Sequence, residues 1–362
     1  MTRVSPGEPL LAVQHLRMSF PASGRRAAPV RAVDDVSFRL QAGETLGVVG
    51  ESGCGKTTLA QCIVRLLKPQ EGTITFAGQD ISRSPERTLR PIRRDIQLVF
   101  QNPYGSLNPR RTVGATLAAA IAAGGQRPGA PVLTVGGLLD QVGMQESHAR
   151  QYPGEFSGGQ CQRIAIARAL ATGPRLIVLD EAVSALDVSI QAQVVNLLAR
   201  LRDELGVAYV FVAHDLSVVR HVSDRIAVMY LGKIVEISPT GELFARPTHW
   251  YTHALLAAVP IPVVSAVRLE DKKLLQGEPP TSTRATTGCV FASRCPAATA
   301  VCREVEPPLM TYPDGRSVAC HHPRLMEPGD VSRATVSPDS PRSAGLRMPV
   351  ADQPFLASEA AE

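Results

Sequence analysis

The chain has 362 residues, enough for one large or two modest domains, and 44% of them are hydrophobic, ample for a buried core. A net charge of +5 with no run of five or more like charges argues against a nucleic-acid-binding arm and for an ordinary solvated surface. Met1 to Leu11 lacks the apolar core of an export signal, and the longest weakly polar run, Val113 to Ala123, is about half of what a bilayer-spanning helix needs, so a cytoplasmic protein is expected, touching a membrane only through a partner.

Leu10 to Phe20 alternates well enough for an edge strand ending in an aromatic; residues 21–29 read as a loop and Val33 to Leu40 as the returning strand. Phe20 presents a flat apolar face on which an adenine ring could stack, or it is a core residue at a strand end. Thr45 to Val49 is an apolar run that leads into Gly50, Glu51, Ser52, Gly53, Cys54, Gly55, Lys56, Thr57 and Thr58, followed by an amphipathic stretch from Leu59 to Leu67. Strand, glycine turn and helix start in that order make the G-x-x-x-x-G-K-[ST] phosphate loop. Its glycines let backbone N–H groups point inward at the α- and β-phosphates, and the following helix offers its positive end to the same anions. Lys56 is expected to reach the β- and γ-phosphates and Thr57 to hold magnesium, so the chain binds a nucleoside triphosphate.

Lys68 to Gly72 stops the helix, and Thr73 to Phe76 is a short strand. Gln97 to Phe100 is an apolar strand that delivers Gln101 to a loop in which Pro103 and Pro109 are expected to break any regular structure. The Gln101 amide can bond water in either sense and touch magnesium through its oxygen. From Val113 to about Tyr152 the chain turns alanine-, leucine- and glycine-rich with helical spacing, as at Leu138, Leu139 and Val142, which suggests an inserted helical subdomain. It ends at Ser157, Gly158, Gly159 and Gln160, a second glycine turn set directly before a helix, Cys161 to Thr172. One nucleotide needs one such turn, so this one is expected to serve a nucleotide held by another chain.

Leu176 to Leu179 is a buried, parallel-type strand ending in Asp180 and Glu181. Asp180 suits magnesium, and Glu181 is placed to orient or deprotonate an attacking water. Ser184 to Asp187 turns into a helix over Val188 to Leu205, and Ala208 to Ala213 is another buried strand that delivers His214, in reach of a γ-phosphate. Val228 to Glu236 reads as a hairpin, Glu242 to Val259 as a last helical stretch, and residues 260–262 as a linker.

Taken in this order, the motifs resemble those of the ATP-binding subunits of ABC transporters over residues 10 to about 258. That resemblance implies an α/β P-loop NTPase: a RecA-like core, an antiparallel β subdomain and a helical subdomain at about 102–160. It also implies a head-to-tail pair of such subunits with ATP between them, so that Ser157, Gly158, Gly159 and Gln160 would meet the γ-phosphate held by the partner's lysine. Phe20 would stack on adenine, Gln101 would sense the γ-phosphate and the membrane partner, Glu181 would be the general base and His214 the switch. Magnesium would be held by Thr57, Gln101 and Asp180. Asn102 to Pro109, Val183 to Gln193 and a cysteine-bearing C-terminal extension are similar to the oligopeptide and dipeptide importer branch, F-type subunit. This implies a D-type ATPase partner, two transmembrane permease subunits, an extracytoplasmic solute-binding protein acting indirectly, and residence on the cytoplasmic face of the membrane, with no role for nucleic acid. Ala182 stands where that family has proline, Cys161 where it has arginine, and Trp250 within its His-Pro-Tyr motif; none of the three removes a group expected to touch phosphate or magnesium. Nickel or another small solute is the alternative cargo, and a soluble ABC ATPase without a transporter the alternative class, against which the single cassette and the lack of sustained heptads argue.

Residues 259–327 form the extension, and 328–362, rich in Ser, Ala and Pro, are expected to be a disordered tail, as is the short N-terminal tail 1–9 to lie outside the fold. Of seven cysteines, Cys289, Cys295, Cys302 and Cys320 stand in the extension, separated by five, six and seventeen residues. Four thiols in so short a cytoplasmic segment point to a tetrahedral site, and the spacing leaves structural zinc, an iron–sulfur cluster and plain reduced thiols open. The family resemblance implies a [4Fe–4S] cluster. All phosphate-facing groups are expected before residue 215.

Overall fold

The computed structural model describes residues 7–21, 29–125, 132–258, 287–324 and 335–336. The expected loop at 21–29, the linker at 260–262 and the two tails lie wholly or mainly outside the described residues. In chain order, Leu11–Phe20 (β1) and Val30–Leu40 (β2) precede Thr45–Val49 (β3), and the phosphate loop then opens Lys56–Ile63 (α1). Glu71–Phe76 (β4), Gln79–Asp80 (β5), Glu86–Asp95 (α2) and Ile96–Val99 (β6) follow. The helical insertion carries Pro103–Ser106 (α3), Val113–Gly124 (α4) and Val135–Gln141 (α5), and leads into Gly158–Leu170 (α6). Then come Leu176–Asp180 (β7), Val188–Leu205 (α7), Ala208–Val212 (β8), Leu216–Val222 (α8), Arg225–Tyr230 (β9) and Lys233–Pro239 (β10). Thr240–Ala245 (α9), Trp250–Ala258 (α10), Ala300–Glu304 (α11), Met310–Thr311 (β11), Ser317–Val318 (β12) and Thr335–Val336 (β13) follow, and short 3-10 helices at Glu146–Arg150 and Pro153–Glu155 lie between α5 and α6.

Two sheets result. The larger runs β13-β11-β12-β10-β9-β3-β8-β7-β6, and its stretch from β9 to β6 is parallel throughout. Strands β3, β7 and β8 are buried at every residue, as expected of a parallel sheet covered on both faces. The alternation of side chains along β8 shows how: Tyr209 and Phe211 enter an apolar layer with Ile164, Val194 and Leu198, while Ala208, Val210 and Val212 enter the opposite layer with Leu11, Phe38, Leu59 and Ile63. Burying each large side chain contributes roughly 1.5–3 kcal/mol, which makes the sheet a firm base for the loops at its end.

The smaller sheet is antiparallel, in the order β2-β1-β4-β5. Here β1 is not an edge strand, as its alternation had suggested, but is paired on both sides, with β2 and with β4. Alternation reports which face is buried and says nothing about who pairs on either side. A second departure concerns Pro103. It opens the short helix α3 instead of breaking the structure, because proline suits the first helical position and the Asn102 side chain caps it by accepting from Gly105 N at 3.1 Å. Helix α7 follows its expected span: the Asp187 carboxylate accepts from Ile190 N at 2.9 Å, and Gly206, at φ 65, ends it in the left-handed region.

The extension continues the main sheet. Strand β12 pairs antiparallel with β10, setting Val318 beside Glu236, and Phe291 is fully buried in the same apolar layer as Tyr230 and Tyr251.

Candidate active site

Because β3, β8, β7 and β6 run parallel as neighbours, the segments that follow them emerge at one edge of the sheet, where ligands bind in open α/β folds. The phosphate loop follows β3, His214 follows β8, Asp180 and Glu181 end β7, and Gln101 follows β6.

The phosphate loop is shaped by glycines in backbone conformations that side chains rarely adopt, two of them also packed too closely for a Cβ. Gly50, Gly53 and Gly55 have φ of 156, 77 and 105. A Cβ on Gly55 would overlap the Ala32 carbonyl oxygen, and one on Gly50 the Met229 carbonyl oxygen. Lys56 is buried, its Nζ donating to the carbonyls of Gly50 at 2.9 Å and Glu51 at 3.1 Å. It is an ammonium held by carbonyls it can exchange for phosphate oxygens. Ser52 and Thr57 are exposed and Thr58 half-buried, while Cys54 is buried and burial pushes its thiol pKa up.

Thr57 Oγ1 donates to Asp180 Oδ1 at 3.1 Å. Burial raises the Asp180 pKa and the charge of Glu181 adds to this, while the Thr57 hydrogen bond and Lys56 act the other way. A hydroxyl and a carboxylate so placed are hard oxygen donors, the chemistry that magnesium takes.

Glu181 has φ 47, a left-handed conformation rare for a residue with a side chain and one that costs on the order of 1–3 kcal/mol. The turn is held because Glu181 N donates to Val212 O at 2.9 Å and the Glu181 carbonyl accepts from Ser184 N at 3.1 Å and Ser184 Oγ at 2.9 Å. Its carboxylate is thereby aimed at Gln101, whose Nε2 donates to Glu181 Oε2 at 3.0 Å and to Ser184 Oγ at 3.3 Å. His214 Nδ1 lies 3.7 Å from the same Oε2. The structure thus gathers Lys56, Thr57 and Asp180 in one group and Gln101, Glu181 and His214 in the adjoining one. Ser184, which joins Gln101 to the Glu181 turn, was seen in the sequence only as part of a helix approach.

Ser157, Gly158, Gly159 and Gln160 form the start of α6. Ser157 N donates to Gln160 Oε1 at 3.0 Å and Gln160 N to Ser157 Oγ at 3.4 Å, a reciprocal capping box that fixes the turn. A Cβ on Gly159 would run into Ile190 of α7, so the glycine permits close packing there. Cys161 is fully buried with its sulfur 3.3 Å from the Pro153 carbonyl oxygen. Phe20 ends β1, opposite Val30, and is half-buried.

In the extension, Cys302 is buried and Cys289, Cys295 and Cys320 are half-buried, all as free thiols. Burial pushes the Cys289 pKa up to about 11, and the charges of Cys295 and Cys302 add to it. Burial likewise raises Cys320, with Cys289, Cys295 and Cys302 contributing, so the thiols feel one another. Yet among the described residues no group of three or more His, Cys, Asp or Glu side chains is set to hold a metal ion. The expected four-thiolate site is thus not arranged as a ligand cage among the described residues.

Two supports of the phosphate loop come from beyond residue 215, although neither faces the phosphates. Tyr251 Oη accepts from Glu51 N at 2.9 Å, and Arg294 pairs with the Glu51 carboxylate at 3.0 Å. Neither has a signal in the sequence, since a contact across the length of the chain leaves no local pattern.

A parallel-sheet platform with a phosphate loop, an Asp-Glu strand end, a glutamine and a histidine at one edge, and a capped Ser-Gly-Gly-Gln turn defines an ATPase of the ABC class. The ABC transporter family matches residues 33–184, and the family of the oligopeptide/dipeptide transporter C-terminal region matches residues 235–302. The oligopeptide transport ATP-binding protein AppF of Bacillus subtilis is 48% identical over 331 residues, 87% of this chain and 97% of that protein. The oligopeptide transport ATP-binding protein OppF of Haemophilus influenzae is 45% identical over 328 residues, 88% of this chain and 99% of that one. Among solved structures, the ATP-binding cassette MJ0796, as a dimer in a post-hydrolysis state bound to ADP and Pi, superposes with a TM-score of 0.56 at 29% identity, covering 64% of this chain and 98% of its own. The chain belongs to the ABC transporter ATP-binding proteins, in the oligopeptide/dipeptide branch, and is an ATPase. Among the described residues no helix is long and apolar enough to cross a membrane.

Proposed function

We propose that this chain hydrolyses ATP to power the uptake of peptides through a membrane permease. The observation that carries the reading is the Gln101–Glu181–His214 group beside the Thr57–Asp180 pair, in a chain whose relatives are named for oligopeptide transport. In this reading Lys56 and the N–H groups of Gly50 to Thr58 hold the phosphates, and Phe20 stacks on adenine. Thr57, Asp180 and the Gln101 amide oxygen hold Mg²⁺, which when bound neutralises charge on the phosphates. Glu181 takes the proton of the attacking water, His214 donates to the γ-phosphate, and Gln101 links the site to the permease.

The chain works in this proposal as one of two ATPase subunits, with a D-type partner whose nucleotide meets Ser157 to Gln160, on the cytoplasmic face of a membrane beneath two permease subunits fed by a solute-binding protein. The four cysteines of the extension hold a [4Fe–4S] cluster, with zinc as the alternative; what supports it is four free thiols, Cys289, Cys295, Cys302 and Cys320, within one short segment. The test is co-reconstitution with the permease subunits and the second ATPase in vesicles, followed by uptake of labelled oligopeptides. ATP-driven peptide uptake is expected. Uptake of nickel and not of peptides would replace the cargo, and ATPase activity without any association with membrane subunits would replace the class.

A further inference from the structure

Glu51, the second residue of the phosphate loop, is held from three directions. Its N–H donates to Tyr251 Oη at 2.9 Å, and its carbonyl accepts from Lys56 Nζ at 3.1 Å. Its carboxylate faces Arg294, whose Nη1 lies 3.0 Å from Oε2 and whose Nη2 lies 3.3 Å from Oε1. Only the carbonyl contact belongs to the loop; the other two come from the C-terminal part of the chain. Arg294 is itself built in. It sits over the Tyr230 ring at 5.9 Å, donates to Tyr230 Oη at 3.3 Å, and is 12% exposed against 18% for Glu51. The Arg294 N–H donates to the Phe291 carbonyl at 3.0 Å, and the Phe291 ring packs on Tyr230 and Tyr251 with centroids 5.4 Å away in each case.

We propose that Arg294 is a positioning residue of the ATP site, fixing Glu51 and with it the course of the phosphate loop between Gly50 and Lys56. Two physical reasons support this. A loop with three glycines in the positive-φ region is costly to order, and a forked guanidinium pairing with a carboxylate restrains it in direction as well as distance. A carboxylate in the phosphate loop would also repel a triphosphate unless neutralised, which Arg294 does at short range. Both effects act on bound nucleotide before any chemistry, so they belong to affinity rather than turnover. The same contact makes the cysteine segment a support of the ATP site, because Arg294 precedes Cys295 and Phe291 follows Cys289 by two residues.

The test is a titration of the full-length chain with a fluorescent ATP analogue and Mg²⁺, with melting followed for each variant. Arg294→Ala should weaken binding by about tenfold, the scale of losing a charge-assisted hydrogen bond. Arg294→Lys should fall between, restoring charge without the fork. In a Glu51→Gln background, Arg294→Ala should change affinity by no more than about twofold, since its partner charge is gone. In the assembled ATPase, KM should rise with kcat held. If Arg294→Ala does not fold, Arg294→Lys with and without Glu51→Gln carries the same comparison. Unchanged affinity in Arg294→Ala would overturn the proposal, and so would an equal loss in the Glu51→Gln background, which would make Arg294 a packing residue of the extension.

Discussion

Thr57 Oγ1 donates to Asp180 Oδ1 across 3.1 Å, tying the first turn of α1 to the carboxyl end of β7. Strand β8 lies between β3 and β7 in the sheet, so the contact exists only because three parallel strands end level with one another. It sets a hydroxyl against a carboxylate whose pKa burial has raised, a place where a divalent cation would relieve the cost of burying the charge.

Glu181→Gln should keep ATP binding and lose most hydrolysis, by about 10² to 10⁴ in rate, the range for a well-placed general base. The amide fills the same strained turn and can still meet Gln101 Nε2 through its oxygen, so the site should stay assembled. Single-turnover phosphate release in the assembled complex measures it; near-normal turnover would remove Glu181 from the role of base.

Ser157→Arg should leave this chain's own ATP affinity intact and block hydrolysis at the site whose lysine belongs to the partner. The Ser157–Gln160 capping box opens α6, whereas Lys56 opens α1 after β3. Nucleotide binding to the isolated mutant chain, compared with site-resolved hydrolysis in the assembled pair, separates the two sites. A loss of affinity at Lys56 would contradict action in trans.

Stability should fall in acid through His249. This ring is fully buried, burial lowers its pKa to about 3 from 6.5, and its Nδ1 accepts from Tyr251 N at 3.1 Å, which requires that nitrogen to be unprotonated. Between those values the unfolded chain binds the proton and the folded one does not. Stability therefore drops as pH falls below 6.5, by up to about 1.4 kcal/mol per pH unit, and the loss levels off near 3. His249→Asn keeps an acceptor and has nothing to titrate, so its denaturation midpoints should depend less on pH over this window. Parallel curves for the two proteins would rule His249 out as the cause.

Protein purified without oxygen should carry about four iron and four sulfide per chain and absorb broadly near roughly 400 nm, as a Cys₄-ligated cluster does. Cys302→Ser should bleach it while ATP still binds. Since β12 and Phe291 join the extension to the cassette's own sheet and core, the loss should loosen residues 287–324 without unfolding the cassette. Stoichiometric zinc would replace the cluster by a zinc site, and metal-free protein would leave ordinary thiols.

The phosphate loop, the Asp180–Glu181 strand end, the span of α7 and the alternation of strands with helices were legible because each is written in neighbouring residues. In the phosphate loop glycines stand where φ is positive, apolar runs stand where both faces are covered, and Asp187 and Gly206 stand where α7 starts and stops. Local pattern could not say that β1 is paired on both sides, that Pro103 opens a helix, or that the four cysteines form no ligand geometry among the described residues. Nor could it show Ser184 bridging Gln101 to the Glu181 turn, or Tyr251 and Arg294 holding Glu51. The sequence by itself determined which groups are present and which strand or helix end bears each, because those depend on backbone preferences and periodicity over a few residues. Which of those groups meet was decided only by tertiary structure: sheet order and the docking of the extension are set by packing between segments far apart in the chain, and such contacts leave no trace in local spacing.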